Sequence, residues 1–139
     1  MDQTEGLKIL ELIDSIQIIE RKLTMSLVDS GLRMPQYRVL VILKDSSSTV
    51  SDLSKKLRIT RAAASLLVNE MIKQGYCQTR ENEIDRRSFH IVISDAGLEK
   101  LNVAHKNVSA AGTKLSRDMS NEEIHYLNHF ASKIISGEK

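Results

Sequence analysis

The chain has 139 residues, 41% hydrophobic and 27% charged, with one proline and six glycines, which predicts one compact folded unit and excludes a disordered or collagen-like chain. Aromatic residues make up only 4% and tryptophan is absent, which argues against an aromatic platform for single-stranded bases. The net charge is +2, but residues 31–90 carry eleven Lys and Arg against six Asp and Glu, and a basic region of this kind is typical of proteins that bind nucleic acid.

The first predicted helix runs from Glu5 to about Asp29. Its apolar residues recur at helical spacing and cover more than one side, so the helix needs apolar partners beyond a small core. Gly31 ends this helix, and Met34-Pro35 opens a second one over about Gln36 to Leu43, since proline is tolerated in a first turn. The apolar residues of the first helix are Leu7, Ile9, Leu10, Leu12, Ile13, Ile16, Ile18, Ile19, Leu23 and Leu27.

Two further helices follow a polar connector, DSSSTVSD. Either Thr49 or Ser51 caps the third helix, and Ile59-Thr60 closes it and starts the fourth within three residues. The fourth helix, in TRAAASLLVNEMIKQG, has the clearest amphipathic pattern of the chain, and Gly75 stops it. Its buried stripe is predicted to be Ala64, Leu67, Val68, Met71 and Ile72.

After Gly75 the apolar period becomes that of β-strands. Tyr76–Arg80 and Phe89–Ile93 are predicted to pair as a hairpin across the charged tip ENEIDRRS, with Phe89, Ile91 and Ile93 on one face. Two helices joined by a tight turn and followed by a hairpin make a winged helix-turn-helix, in which the hairpin is the wing.

Two more helices close the chain. One runs from Asp95 to about Met119, and its residues Ala110, Ala111 and Gly112 would let another helix approach closely. Ser120 and Glu123 form a capping box at the start of the last helix. The apolar stripes of these two helices are Leu101, Ala104, Val108, Ala111 and Leu115, and then Ile124, Leu127, Ala131, Ile134 and Ile135.

Over nearly its whole length this order of elements resembles the MarR family of bacterial regulators. LSKKLRITRAAASLLVNEMIKQGY is similar to the family's helix-turn-helix, DRRS to its wing-tip element, and MSNEE to the entry of its closing helix. The expected fold is mainly α, a winged helix-turn-helix with a small β-hairpin wing and long terminal helices. Residues 31–95 form the expected DNA-binding domain, and residues 1–30 and 96–139 the helical dimerisation region.

The outward face and the amino end of the fourth helix are the candidate surface for DNA. Arg61 is suited to a guanine or a phosphate, Leu66 to a thymine methyl group, and small residues would let the backbone approach the groove. For Ala62 and Ala63, helix propensity alone is an equally simple interpretation. The residues predicted to contact DNA here are Thr60, Arg61, Ala62, Ala63, Ser65, Leu66, Asn69 and Lys73.

The charged wing tip is the second candidate surface. The resemblance implies that Arg87 enters the minor groove while Asp85 orients its guanidinium, and narrow minor grooves attract arginine. Arg86 is interpreted as a phosphate contact, which adds affinity but little sequence information. Lys55, Lys56 and Arg80 are candidates for the same role, with solvated surface charge as the alternative for each lysine.

The surplus apolar surface of the first, fifth and sixth helices predicts a homodimer. Two copies of the fourth helix, which we call the reading helix, would then enter adjacent major grooves. The expected partner is therefore double-stranded DNA with an inverted-repeat site whose half-site centres lie about 34–36 Å apart. The resemblance also implies a small-molecule effector between the dimerisation helices and the DNA-binding heads. The predicted function is therefore a dimeric transcriptional regulator, a repressor released by its effector.

The sequence also bears on other functions: catalysis, metal or redox sensing, and protein binding. The sequence has no Gly-rich phosphate loop, H-E-x-x-H motif or paired cysteines, so neither an enzyme nor a cofactor is expected. His105, His125 and His129 leave a metal-responsive regulator as an alternative to surface histidines, and Cys77 a redox sensor as an alternative to an inert thiol. A winged-helix module for protein contacts is a further alternative, because a fold does not determine function.

A cytoplasmic location is expected. A lone cysteine cannot form an intrachain disulfide, and the beginning of the sequence lacks the layout of a signal peptide. The longest apolar run, YRVLVIL, is far shorter than the roughly 20 residues of a membrane span, so no membrane partner is expected.

Overall fold

The computed structural model describes residues 3–81 and 89–137 of the chain. The described part is mainly helical with one antiparallel hairpin, which confirms the predicted winged helix-turn-helix with long terminal helices. In chain order the elements are α1 (Gln3–Met25), a 3₁₀ turn (Val28–Ser30), α2 (Met34–Asp45), α3 (Val50–Leu57), α4 (Arg61–Lys73), β1 (Cys77–Glu81), β2 (Phe89–Ile93), α5 (Asp95–Ser116) and α6 (Asn121–Ser136).

The first helix ends earlier than the predicted Asp29. It stops at Met25, and a separate 3₁₀ turn follows before Gly31. The hydroxyls of Ser26 and Ser30 donate to the carbonyls of Leu23 and Leu27, and serine side chains that bond nearby backbone compete with continued helix. Gly31 then takes a φ of +75°, which glycine adopts without strain and which turns the chain into α2.

The core lies where α2, α3, α4, the hairpin and the first half of α5 meet. Leu40, Leu53, Met71 and Leu101 are among its fully buried side chains, and they come from four different helices. Burial of this kind stabilises each helix through its apolar face more than helix propensity does. We call residues 34–93 the head, since α2 to β2 share this core.

The hairpin is joined to the rest of the head by a short backbone bridge. Ser48, in the connector before α3, donates its N–H to the carbonyl of Ile91 at 3.1 Å and accepts from the N–H of Ile91 at 2.7 Å. Within the hairpin, Cys77 pairs with Ile93 and Glu81 with Phe89. The connector thus forms a one-residue β-bridge to the hairpin, which fixes the position of the base of the wing.

The start of α5 packs closely on the end of α4. Gly75 ends α4 with a φ of +83°, its carbonyl accepts from the hydroxyl of Ser94, and the N–H of Ser94 donates to the carbonyl of Tyr76 at 3.1 Å. Gly97 lies so close to Tyr76 that a β-carbon there would be 2.0 Å from the Tyr76 carbonyl oxygen. A glycine is therefore needed where α5 crosses this turn.

The terminal helices α1 and α6 contribute no buried residue to a single chain. Large apolar side chains such as Ile13 and Ile16 on α1, and Phe130 and Ile134 on α6, remain about half exposed. An apolar groove of about 520 Å³ runs between the two helices. None of the described helices is both long and apolar enough to cross a membrane.

Candidate nucleic-acid interface

The fourth helix has one buried and one exposed face, as its sequence predicts. Ala64, Leu67, Val68 and Met71 are buried, and Ile72 packs against them. Because these residues pack into the core, the opposite face of α4 is exposed to solvent. A helix rises 1.5 Å per residue, so the exposed face from Arg61 to Lys73 is about 18 Å long.

Thr60 begins this helix as its N-cap. Its hydroxyl oxygen accepts from the N–H of Ala63 at 3.1 Å, which satisfies one of the free amide groups of the first turn. Nearby amides that remain free, together with the helix dipole, favour an anion at this end. Thr60 is thus placed at the amino end as predicted, and its oxygen already has a structural partner.

The remaining predicted residues of α4 lie on one continuous surface. Ser65 is half-buried at its edge, and Leu66 is 73% exposed. The exposed methyl groups of Leu66 are suited to contact with an apolar group of a partner molecule. The exposed members are Thr60, Arg61, Ala62, Ala63, Leu66, Asn69 and Lys73.

The predicted wing-tip residues Asp85, Arg86 and Arg87 lie outside the described residues. The base of the wing is described, and there Ile91 is buried whereas Phe89, predicted on the same face, is 52% exposed. Both side chains line a cleft next to Val68 and Ile72 of α4. Phe89 is exposed because it lies at the outer end of β2, beyond the main core.

The third helix places two lysines in solvent near its C-terminus. Thr49 caps α3, accepting from the N–H of Asp52 at 3.1 Å while the Asp52 carboxylate accepts from the N–H of Thr49 at 3.3 Å. These hydrogen bonds to Thr49, and to a lesser degree the charges of Lys55 and Lys56, lower the pKa of Asp52. Thr49 rather than Ser51 is therefore the cap, and both lysines are exposed.

A second polar contact holds the wing to the connector. Ser47 accepts from Nη2 of Arg80 at 3.2 Å, and its hydroxyl lies 3.0 Å from Nδ1 of His90. Arg80 and His90 are cross-strand neighbours in the hairpin. Arg80, a candidate phosphate contact, is thus exposed but already oriented by Ser47.

Sequence reasoning missed the polar contacts between α2 and α4. Nη2 of Arg33 donates to Oε2 of Glu70 at 2.6 Å, and Nε2 of Gln36 donates to Oε1 of Gln74 at 3.1 Å. Each pair joins residues nearly forty positions apart, so no local pattern indicates it. The only local sign is that Gln36 stands three residues after Arg33, the spacing of a capping glutamine.

The alternative sensor residues are not gathered into one site. His105 lies on α5, and its Nδ1 is 2.9 Å from the hydroxyl of Tyr37. His125 and His129 both lie on α6, where their rings are stacked against each other with centroids 6.5 Å apart. Among the described residues, no group of three or more His, Cys, Asp and Glu is arranged to hold a metal. Cys77 is buried, and burial raises the pKa of its thiol to about 11.

Comparison with known proteins agrees with this geometry. Residues 30–88, which include the helix-turn-helix, match the model of the MarR family. No curated protein matches the sequence significantly.

Several solved structures share the fold. AbsC, a MarR family transcriptional regulator from Streptomyces coelicolor, is 21% identical with a TM-score of 0.87, over 99% of this chain and 98% of that one. A mutant MarR from E. coli complexed with operator DNA is 20% identical with a TM-score of 0.83, over 94% and 95%. CouR from Rhodococcus jostii RHA1, bound to p-coumaroyl-CoA, is 18% identical with a TM-score of 0.83, over 100% and 98%.

The family model thus covers most of the head, and the fold of the whole chain is that of MarR-family structures. Residues 30–88 therefore match the MarR family, and the chain as a whole has the winged-helix fold of solved MarR-family transcriptional regulators.

Proposed function

We propose that this protein is a homodimeric regulator that binds double-stranded DNA sequence-specifically and represses transcription until a small effector releases it. The observation that carries the proposal is the exposed face of α4, where Arg61, Leu66, Asn69 and Lys73 stand in solvent on a helix anchored by its other face. A MarR of the same fold has been solved with operator DNA. The site of action would be the cytoplasm.

In this proposal the amino end of α4 enters the major groove. Arg61 contacts a guanine edge or a phosphate, Leu66 contacts a thymine methyl group, and Lys73 contacts the DNA backbone. The wing carries Arg87 towards the minor groove, oriented by Asp85, with Arg86 on a phosphate. The proposed DNA-binding surface also includes Thr60, Ala62, Ala63, Ser65 and Asn69.

The proposed dimer uses the terminal helices, residues 1–30 and 96–139, whereas residues 31–95 bind DNA. The support is the half-exposed apolar surface of α1 and α6, neither of which buries a residue in one chain. Covering such surface with a second copy removes apolar area from water. A dimer with twofold symmetry would present two α4 helices to an inverted repeat.

The effector part of the proposal is supported by a neighbour of the same fold that holds p-coumaroyl-CoA. A cleft of about 480 Å³ between α1 and α5 is lined by Lys22, Met25, Ala111, Lys114, Leu115 and Asp118. Two lysines against one aspartate, beside apolar side chains, would favour a lipophilic acid. An effector need only favour a head spacing that mismatches the DNA to release it.

The test is selection of bound duplexes from random DNA at two salt concentrations. We expect an inverted repeat with about one helical turn between half-sites, and an affinity that falls steeply with salt because phosphate contacts release counterions. Arg61→Gln should weaken binding about tenfold or more, whereas Arg117→Gln, at the end of α5, should change it little. Failure of the wild-type protein to bind any duplex in dilute buffer would refute the proposal and favour a protein-interaction module.

A further inference from the structure

We propose that Arg33 is a positioning residue for DNA binding, which acts by neutralising Glu70 near the C-terminal end of the reading helix. The inference rests on the proposed function, since it assumes that α4 faces duplex DNA. DNA affinity would then depend on Arg33 as well, a residue that lies outside the helix-turn-helix.

The contact geometry joins the first turn of α2 to the end of α4. Arg33 is the N-cap of α2, and its Nη2 donates to Oε2 of Glu70 at 2.6 Å. Three residues later, Gln36 accepts from the N–H of Arg33 at 3.0 Å and donates to Gln74 at 3.1 Å. Glu70 and Gln74 are one helical turn apart and so share a face of the helix and its cap.

The two contacts differ in their surroundings. Gln36 is only 2% exposed, so its amide needs a partner, and Gln74 supplies one. The side chains of Arg33 and Glu70 are 60% and 45% exposed, and ion pairs this open contribute little to folding stability. The buried amide contact therefore fixes the position of the helix end, while the ion pair mainly changes the charge that this end presents.

That charge matters because Glu70 is the one acidic residue in the sequence of α4, Arg61–Lys73. It follows Asn69 directly and lies one turn from Lys73, both of which are exposed on the proposed DNA surface. An unpaired carboxylate near a phosphate backbone is repelled, and the repulsion is strongest at low ionic strength. Arg33 cancels this charge without taking any position on the reading face.

A double-mutant cycle on Arg33 and Glu70 distinguishes charge neutralisation by Arg33 from a direct contact of Arg33 with DNA. The proposal predicts that Arg33→Gln weakens operator binding about three- to tenfold at low salt, and that the loss shrinks as salt rises. Glu70→Gln should bind as tightly as the wild type or more tightly. The double variant, in which no charge is left unpaired, should return to within about twofold of the wild type.

Controls keep the cycle interpretable. Arg33→Lys retains the positive charge and should remain close to the wild type. Arg38→Gln removes an equal charge from an exposed position on the same helix, and its effect should be smaller and independent of Glu70→Gln. Thermal unfolding of each variant checks that the head is intact.

The outcomes are distinct. If the wild type binds its operator but the double variant is as weak as Arg33→Gln, Arg33 contacts DNA itself and the inference is wrong while the proposed function stands. Weaker binding by Glu70→Gln, or no change in Arg33→Gln, would also overturn the inference. If the wild type binds no duplex, the proposed function fails and the inference fails with it.

Discussion

The hydroxyl of Tyr37 lies 2.9 Å from Nδ1 of His105, and the two rings are tilted by 30° with centroids 6.3 Å apart. Tyr37 belongs to α2 and His105 to α5, so the contact connects the head to a helix proposed for dimerisation. Burial raises the pKa of Tyr37 above its ordinary value of 10.0, so the phenol stays protonated throughout the physiological range.

Replacement of Tyr37 by phenylalanine should remove this hydrogen bond and little else. We expect the free energy of unfolding to fall by about 1 kcal/mol, the usual net value of one such bond. Denaturant unfolding at neutral pH measures it. Tyr126→Phe is the matched control, since Tyr126 is largely exposed on α6 and its loss should cost far less. Equal costs for the two variants would contradict the prediction.

Gly97→Ala should destabilise the protein severely. The added methyl group would meet the backbone of Tyr76 rather than a flexible side chain, so α5 must move away from the end of α4. The expected loss is about 3 kcal/mol or more, or failure to fold. Gly6→Ala, at a helical position with no atom within 4 Å of the new carbon, should change stability by less than about 1 kcal/mol. Thermal unfolding of the two variants decides the comparison.

Cys77 should behave as an inert thiol rather than as a redox sensor. Its pKa of about 11 leaves almost no reactive thiolate at neutral pH, so a thiol reagent should label it slowly in the folded protein and rapidly in denaturant. Peroxide should affect DNA binding by the wild type and by Cys77→Ala alike. Release of DNA from the wild type alone would show that the sensor interpretation is right.

The same pKa predicts how stability depends on pH. An unfolded thiol ionises near pH 9.0, its ordinary value, whereas the folded one keeps its proton until about 11. The unfolded state therefore loses this proton first, and the free energy of unfolding should fall as pH rises from about 9 to about 11. The decline should be less steep in Cys77→Ala, because that variant lacks the group. Parallel curves for the two proteins would contradict the prediction.

Phe130→Glu should convert the proposed dimer to a monomer. The substitution places a charge in the apolar groove between α1 and α6, where a partner chain would have to bury it. Ser132→Glu adds the same charge on the same helix, at an exposed serine that does not line this groove, and should leave the dimer intact. Light scattering after size-exclusion chromatography reports the mass of each. A wild type that is already monomeric would refute the proposed interface.

Local signals were sufficient for most of the head and for the start of α6. The apolar spacing in α4, the stop at Gly75 and the capping box of Ser120 and Glu123 all correspond to features of the structure, because each depends on residues within a few positions of one another. Residues of the α4 surface could be predicted for the same reason, once the buried stripe was known. Their contact with DNA stays a prediction.

Long-range features could not be predicted in this way. The bridge between Ser48 and Ile91 and the pair of Arg33 and Glu70 join distant parts of the chain, and nothing in the neighbouring residues indicates either. The turn between α3 and α4 was expected, but its left-handed residue is Arg58, with a φ of +57°, where glycine would be the usual choice. Backbone hydrogen bonds close this turn, from the N–H of Arg58 to the carbonyl of Lys55 and from the N–H of Ile59 to the carbonyl of Ser54.

The bridge between Ser48 and Ile91 has a mechanical consequence. Since hydrogen bonds run in both directions across it, and Ser47 also holds Arg80 and His90, the base of the wing cannot swing independently of the connector that leads into α3. A displacement of the connector would therefore move α3 and the base of the wing together.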